Sequence, residues 1–205
     1  MSILYLTASA RSQDESVSRR MGEIFIRTAA ARTGEAVTRL DLAAQPLPDI
    51  NSAVLAAWNG FAPPDSNPID VHVTDFYSSL TTQLFAHTKY VFAFPNYNLS
   101  VPPILAQYVL GVMRAGKTFT CGAEGYAGLL RGKRAMLICS SGGMCSRAGS
   151  STYCYGPAWL SGVLSMSGVR DIRTLIVEGH EENPSQAERI LKRGMEDAQA
   201  AAKDF

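Results

Sequence analysis

ILYLTASARSQDESVSRRMGEIF, residues 3–25, reads as strand, loop and helix in immediate succession. Ile3 to Thr7 is a short apolar run of strand type. Met21, Ile24, Phe25 and Thr28 then recur at helical spacing, which starts a helix near Ser18. Between them lie four serines (Ser9, Ser12, Ser16, Ser18) and Arg11, more donors than a turn requires. Unpaired amides and the positive end of the helix dipole favour a phosphate at such a helix start. Hydroxyls of Ser9, Ser16 and Ser18 suit its oxygens, and Arg11 adds charge-assisted bonds. Ser16 or Ser18 can equally serve as a plain helix cap, and the residues alone leave both readings open. The loop carries neither GxGxxG nor GxxxxGK[ST], which argues against a dinucleotide fold and a nucleoside triphosphatase.

Outward from this unit the chain repeats the pattern. Ala36–Asp41, Tyr90–Phe94, the run RAMLICS after Lys133, and Ile172–Val177 read as four further strands. Helices carry Phe76, Leu80, Leu84 and His87, then Ile104, Leu105, Tyr108, Val112 and Met113 behind a Pro-Pro entry. Further helices run over Pro157–Ser167 and, after Asn183-Pro184, through Ala187, Ile190, Leu191 and Met195. The stretch AAQPLPDINSAV reads as loop by its prolines, and the polar segment NGFAPPDSNPID precedes a helix. Alternation of strand and helix predicts an α/β fold, a three-layer sandwich in which five parallel strands carry helices on both faces. The flavodoxin-like strand order is expected, with ligands beyond the carboxyl ends of the strands. With no repeat or linker, residues 1–205 read as one domain.

Apolar residues make up 46% of the 205 and charged ones 18%, a globular balance. Nineteen basic against eighteen acidic residues leave a net charge of +1, which gives no electrostatic case for nucleic acid or a membrane surface. No apolar run approaches the roughly 20 residues of a membrane span. The apolar start is too short for a signal peptide, so a cytoplasmic location is expected. Cys121, Cys139, Cys145 and Cys154 form no CxxC pair and no histidine-spaced cluster; they read as free thiols with no metal.

Loops after the first, third and fourth sheet strands meet at one edge of such a sheet. The second of them, Pro95-Asn96-Tyr97-Asn98-Leu99, offers an aromatic cover and amides that both donate and accept at a heterocycle edge. It also has the composition of an ordinary turn. The third, SSGGMCSRAGSS, sets Gly142-Gly143 after Ser140-Ser141, where backbone can approach a flat ligand; a plain surface loop fits equally. Together, a phosphate cradle, an aromatic-amide shelf and a glycine wall fit flavin mononucleotide.

These loops, with DLAAQPLP, PNYNLSVPPILAQYV, MRAGKTF, GLLRGKRAMLICSSGG and the SGVRD–VEGH run, resemble the FMN-dependent azoreductases, also described as NADH:quinone oxidoreductases. The resemblance spans nearly the whole chain and implies an enzyme passing hydride from NADH or NADPH through FMN to quinones or azo compounds. By position, it implies that Ser9, Ser16, Val17 and Ser18 hold the phosphate. Pro95, Asn96, Tyr97, Asn98 and Leu99 then contact the ring and ribityl chain, and Ser140, Ser141, Gly142 and Gly143 line the other side. Gly142, Gly143 and Tyr97 are the candidate catalytic groups, the glycine amides stabilising charge near the flavin N1 in the manner of an oxyanion hole. Homodimers with shared pockets are implied, with Phe119, Tyr126, Cys145 and Met166 lining the substrate pocket.

Some positions depart from the family pattern. Family members often carry arginine at Ser141, a polar residue at Cys145, and aromatics at Leu99 and near Met166. A wider or differently lined pocket follows. Cys145 and Cys154 read as inert thiols near the ligand edge, with a redox-active pair as the weaker alternative, and His180 as part of a solvated turn. Two rivals stand beside the enzyme: a flavodoxin-type electron carrier, disfavoured by the near-neutral charge, and a flavin-free binding module.

Overall fold

The computed structural model describes residues 2–60, 68–145 and 154–205. Five parallel strands, β1 (Ser2–Thr7), β2 (Ala36–Asp41), β3 (Lys89–Pro95), β6 (Arg134–Ser141) and β7 (Asp171–Glu178), lie in the order β2-β1-β3-β6-β7. This is the flavodoxin-like arrangement expected from the alternation of elements. β3 is buried along its whole length and β6 along all but its first residue, as strands covered on both faces must be. Successive side chains divide between two cores. Leu4, Leu6, Phe92, Phe94 and Leu137 face the layer of α2 (Ser52–Trp58), α3 (Pro68–Ala86), α4 (Pro103–Val112) and α5 (Tyr155–Met166). Ile3, Tyr5, Val91, Ala93, Met136 and Ile138 face α1 (Val17–Thr33) and α6 (Ala187–Ala201).

One local expectation needs correction. The segment read as loop through Val54 turns helical at Ser52, because the Asn51 side chain accepts from the Val54 amide at 2.9 Å and caps α2. On α6, Ile190, Leu191 and Met195 of the expected face pack partly buried against the core, with Gly194 and Ala198 buried deepest; Gly194 lets the helix close onto Val177 of β7. The excursion before β6 is an antiparallel hairpin, β4 (Phe119–Gly122) with β5 (Gly125–Gly128), outside the main sheet. No helix among the described residues is long and apolar enough to cross a membrane.

A convergent crevice at the carboxyl edge of the sheet

Parallel pairing carries the three expected loops to one edge, and the hydrogen-bond ladder extends into them. Ala8 N donates to Ala93 O at 3.1 Å, Asn96 N to Ser140 O at 2.8 Å, and Gly179 N to Ser141 O at 3.1 Å. The last contact brings in a fourth loop, after β7. A crevice of about 150 Å³ opens where they meet, lined by Ser9, Arg11, Ser16, Val17, Pro95, Asn96, Tyr97, Ser140, Gly142, His180 and Glu181. Residues 146–151 of the third loop lie outside the described residues. A larger trough between α1 and α6 is floored by Ile24, Leu191 and Met195 and rimmed by charges of both signs, but no strand ends there.

The first loop is built around buried hydroxyls. Ser9, Ser16 and Ser18 are 1%, 3% and 0% exposed. Ser16 caps α1 by accepting from Arg19 N at 3.4 Å, and its Oγ lies 3.2 Å from Ser18 Oγ. The cap reading therefore holds for Ser16, whereas Ser18 lies inside the helix. Amides of Val17 and Ser18 have no intrahelical acceptor, and the first turn of α1 holds no acidic residue to occupy the positive dipole end. Arg11 reaches Glu181 at 3.7 Å across the crevice, both side chains being more than half exposed.

Arg19, which the sequence reading passed over, braces this loop from behind. Its guanidinium grips both Asp41 carboxylate oxygens at 2.7 and 2.8 Å and donates to Ser9 O at 2.6 Å and Thr7 Oγ1 at 3.3 Å. Burial would raise the Asp41 carboxyl, but Arg19 outweighs it and holds it below the ordinary range.

The second loop turns through two residues with left-handed backbone, Asn98 (φ 46°) and Leu99 (φ 68°), closed by Ser100 N donating to Tyr97 O at 2.9 Å. Left-handed φ is uncommon for leucine and marks a functional hypothesis rather than an ordinary turn. In the third loop the Gly142 carbonyl accepts from the Glu181 and Glu182 amides at 3.0 and 3.2 Å. Peptide planarity then turns the Gly143 N–H away from the β7 loop. A side chain at Gly142 would collide with the Glu181 carboxylate.

His180 sits in the turn after β7, as expected, but less solvated than an open turn would leave it. It is half-buried in the crevice wall, and burial, with a smaller push from Arg11, holds its imidazole below the usual range against Glu181. The position of β7 next to β6 is the signal that could have found it. Asn96 and His180 line the crevice, and each carries a buried polar atom, Asn96 Oδ1 on the Gly156 side and His180 Nδ1, with no hydrogen-bond partner among the described residues. Polar residues lining a crevice, together with an unclaimed helix start, fit a ligand that is anionic at one end and a hydrogen-bonding heterocycle at the other. The crevice is smaller than the roughly 300–1,000 Å³ of a complete small-molecule site.

Phe119 and Tyr126 stand edge to face at 5.7 Å on the hairpin, and Met166 is half-buried at the far end of α5; none lines the crevice. Cys145 is buried just past the glycines. The free-thiol expectation fails for two of the four cysteines: Cys145 and Cys154 are joined in a disulfide, while Cys121 and Cys139 are free. Spacing could not indicate the pairing, because it arises where α5 returns to the loop after β6. Both sulfurs and a Glu178 carboxylate oxygen lie within 4.8 Å of one another.

Fold and crevice define a class: a flavodoxin-like α/β protein with an anion-favouring cradle at the strand ends. A family model described as flavodoxin-like fold matches residues 1–202. The chain is 31% identical to FMN-dependent NADH:quinone oxidoreductase 3 of Halalkalibacterium halodurans and 31% identical to FMN-dependent NADH:quinone oxidoreductase 1 of Bacillus subtilis. Each match covers 99% of both proteins. A crystal structure of an azoreductase from Bacillus anthracis superposes with a TM-score of 0.89 at 27% identity, covering 100% of both chains. The chain belongs to the flavodoxin-like family of FMN-dependent NADH:quinone oxidoreductases.

Proposed function

We propose that this protein is an FMN-dependent oxidoreductase that takes hydride from NADH and reduces quinones or azo compounds. One observation carries the reading: the unclaimed start of α1, the buried serines, Asn96 and His180 converge in one crevice. When bound, FMN supplies reversible two-electron chemistry that side chains lack. The residues supply position and charge. Ser9, Ser16, Ser18 and the Val17 amide hold the phosphate, while Arg19 fixes the loop that presents them. Asn96 to Leu99 form the shelf for the ring, and Tyr97 packs at its edge. The Gly143 amide, fixed by the bonds on Gly142, is suited to negative charge on the other side.

A homodimer completes the site. Among the described residues, the nine exposed large apolar residues belong to the α2–α5 layer, the hairpin and Leu129 just after it, or the second loop, and none to α1 or α6. Phe119 and Tyr126 are outside their own crevice, so they serve the partner's substrate pocket, and Met166 lies on the same layer.

The test is spectroscopic. Protein loaded with FMN should lose its flavin absorbance on addition of NADH alone and regain it with a quinone. Steady-state double-reciprocal plots should run parallel, as alternate use of one site requires. A flavin band that NADH leaves unchanged favours the electron carrier, and failure to take up FMN favours the binding module.

A further inference from the structure

The disulfide lies between two walls of the crevice. Cys145 follows the Gly142-Gly143 loop directly, and its N–H donates to Glu178 Oε2 at 2.7 Å. Met144 N donates to Glu182 Oε2 at 2.8 Å, so this loop is tied to the β7 side. Cys154 is the residue before α5 and is half-buried, whereas Cys145 is 1% exposed. Two residues on, Gly156 is pressed against the second loop. A Cβ there would meet the backbone of Ser100 and Val101 at 3.0 and 3.1 Å and Asn96 Oδ1 at 3.2 Å. The bond spans nine positions in sequence and joins the glycine wall to the helix that backs the Asn96 shelf.

We infer that Cys145 and Cys154 form a reversible thiol–disulfide site whose redox state sets the affinity of the crevice for FMN, with a dithiol as its chemical partner. The inference rests on the FMN reading above. A protein that draws on NADH works beside a reducing thiol pool, where a disulfide is transient and redox-sensing rather than structural. The two sulfurs are also unequal. Cys154 is the accessible one and stands at the start of a twelve-residue helix, which stabilises its thiolate. Cys145 is buried beside a carboxylate.

Exchange follows from that inequality. A thiolate of the external dithiol attacks Cys154 Sγ, the S–S bond breaks, and Cys145 leaves as a thiolate that takes a proton from solvent. The second thiol of the reductant, deprotonated, attacks its own first sulfur, closing a disulfide there and releasing the Cys154 thiolate at the α5 terminus, which is then protonated. The protein gains two electrons and two protons, and the dithiol loses them. Opening the bond frees the glycine wall from α5, so the oxidised, preorganised crevice binds FMN more tightly.

The whole chain, free of flavin, is equilibrated in dithiothreitol redox buffers with a chelator present, because the two thiolates and Glu178 are close enough to hold a metal ion. Thiols are then alkylated after denaturation and counted by mass. FMN dissociation constants are read by flavin fluorescence at both ends of the titration. Air-oxidised protein should show two alkylated cysteines of the four and reduced protein all four, in one two-electron step. FMN should bind the oxidised form at least about fivefold more tightly. Saturating FMN should lower the midpoint potential by about 30 mV per tenfold difference in affinity. Dithiothreitol should leave the affinity of a Cys145→Ser/Cys154→Ser double variant unaltered.

Four alkylated cysteines at every buffer, or equal affinity and an unmoved midpoint, overturn the inference while FMN still binds. A response that persists in the double variant also overturns it. FMN binding in neither redox state removes the proposed function, and the coupling with it.

Discussion

Ser18 occupies the second position of α1, fully buried, with its hydroxyl beside Ser16 Oγ rather than on a backbone cap. That placement separates folding from binding. An aspartate here faces the positive end of the helix dipole, worth about 0.3–1 kcal/mol in its favour. The same carboxylate stands beside the phosphate that the cradle is proposed to hold. Ser18→Asp should therefore leave the flavin-free melting temperature within a few degrees while weakening FMN binding about a hundredfold, a like-charge cost of about 3 kcal/mol. Ser18→Ala, losing only a hydrogen bond to a charged group, should weaken it about tenfold. Fluorescence titration and a thermal melt on each variant check both numbers. Undiminished affinity in Ser18→Asp removes the first loop from the site.

Among the elements, the strand ends and their loops were legible in the sequence because their signals are local. Five apolar runs bounded by turn residues gave the sheet, and serines, asparagines and paired glycines after three of those runs gave most of the crevice. What escaped depends on partners distant in the chain. Asp41, at the end of β2, pairs with Arg19 twenty-two residues earlier, and His180 became a wall residue only because β7 lies beside β6. The asparagine cap of α2 was a local signal outweighed by nearby prolines. The Arg19–Asp41 brace has a measurable signature. Asp41 has its carboxyl depressed in the fold, so its contribution is complete above about pH 4, the unfolded value, and is lost as pH falls through the folded value. Arg19→Met should cost about 2 kcal/mol at neutral pH, moderated because the Asp41 side chain is 37% exposed. The gap between the variant and the natural chain should narrow on acidification below pH 4. Urea titrations across pH 3–7 read this directly, and a gap independent of pH would show that the guanidinium acts through packing alone.

At the scale of the whole molecule, one side of the sheet is finished and the other is not. The α1–α6 layer exposes no large apolar residue, although its trough is broad. The opposite layer presents Leu55 on α2, Val71 on α3, Leu110 on α4, Tyr155 and Trp159 on α5, and Tyr126 on the hairpin, with Leu110 at 53% exposure. Single exposed apolar residues are normal, but their confinement to one layer is the pattern of an association surface. The crevice lies at the edge of that layer, so a second copy of the chain seated there would stand beside it. Leu110→Glu places a carboxylate on the outer face of α4, where burial in a dimer would leave it unpaired. The variant should sediment as a monomer at micromolar concentration while the natural chain sediments as a dimer. FMN affinity, set chiefly by loops within one chain, should fall by less than tenfold. Turnover of a quinone should fall much further if, as proposed, the aromatic hairpin of one protomer serves the other's crevice. A monomeric variant with full turnover would mean that each chain builds its acceptor site alone, and Phe119 and Tyr126 would then be packing residues of the hairpin.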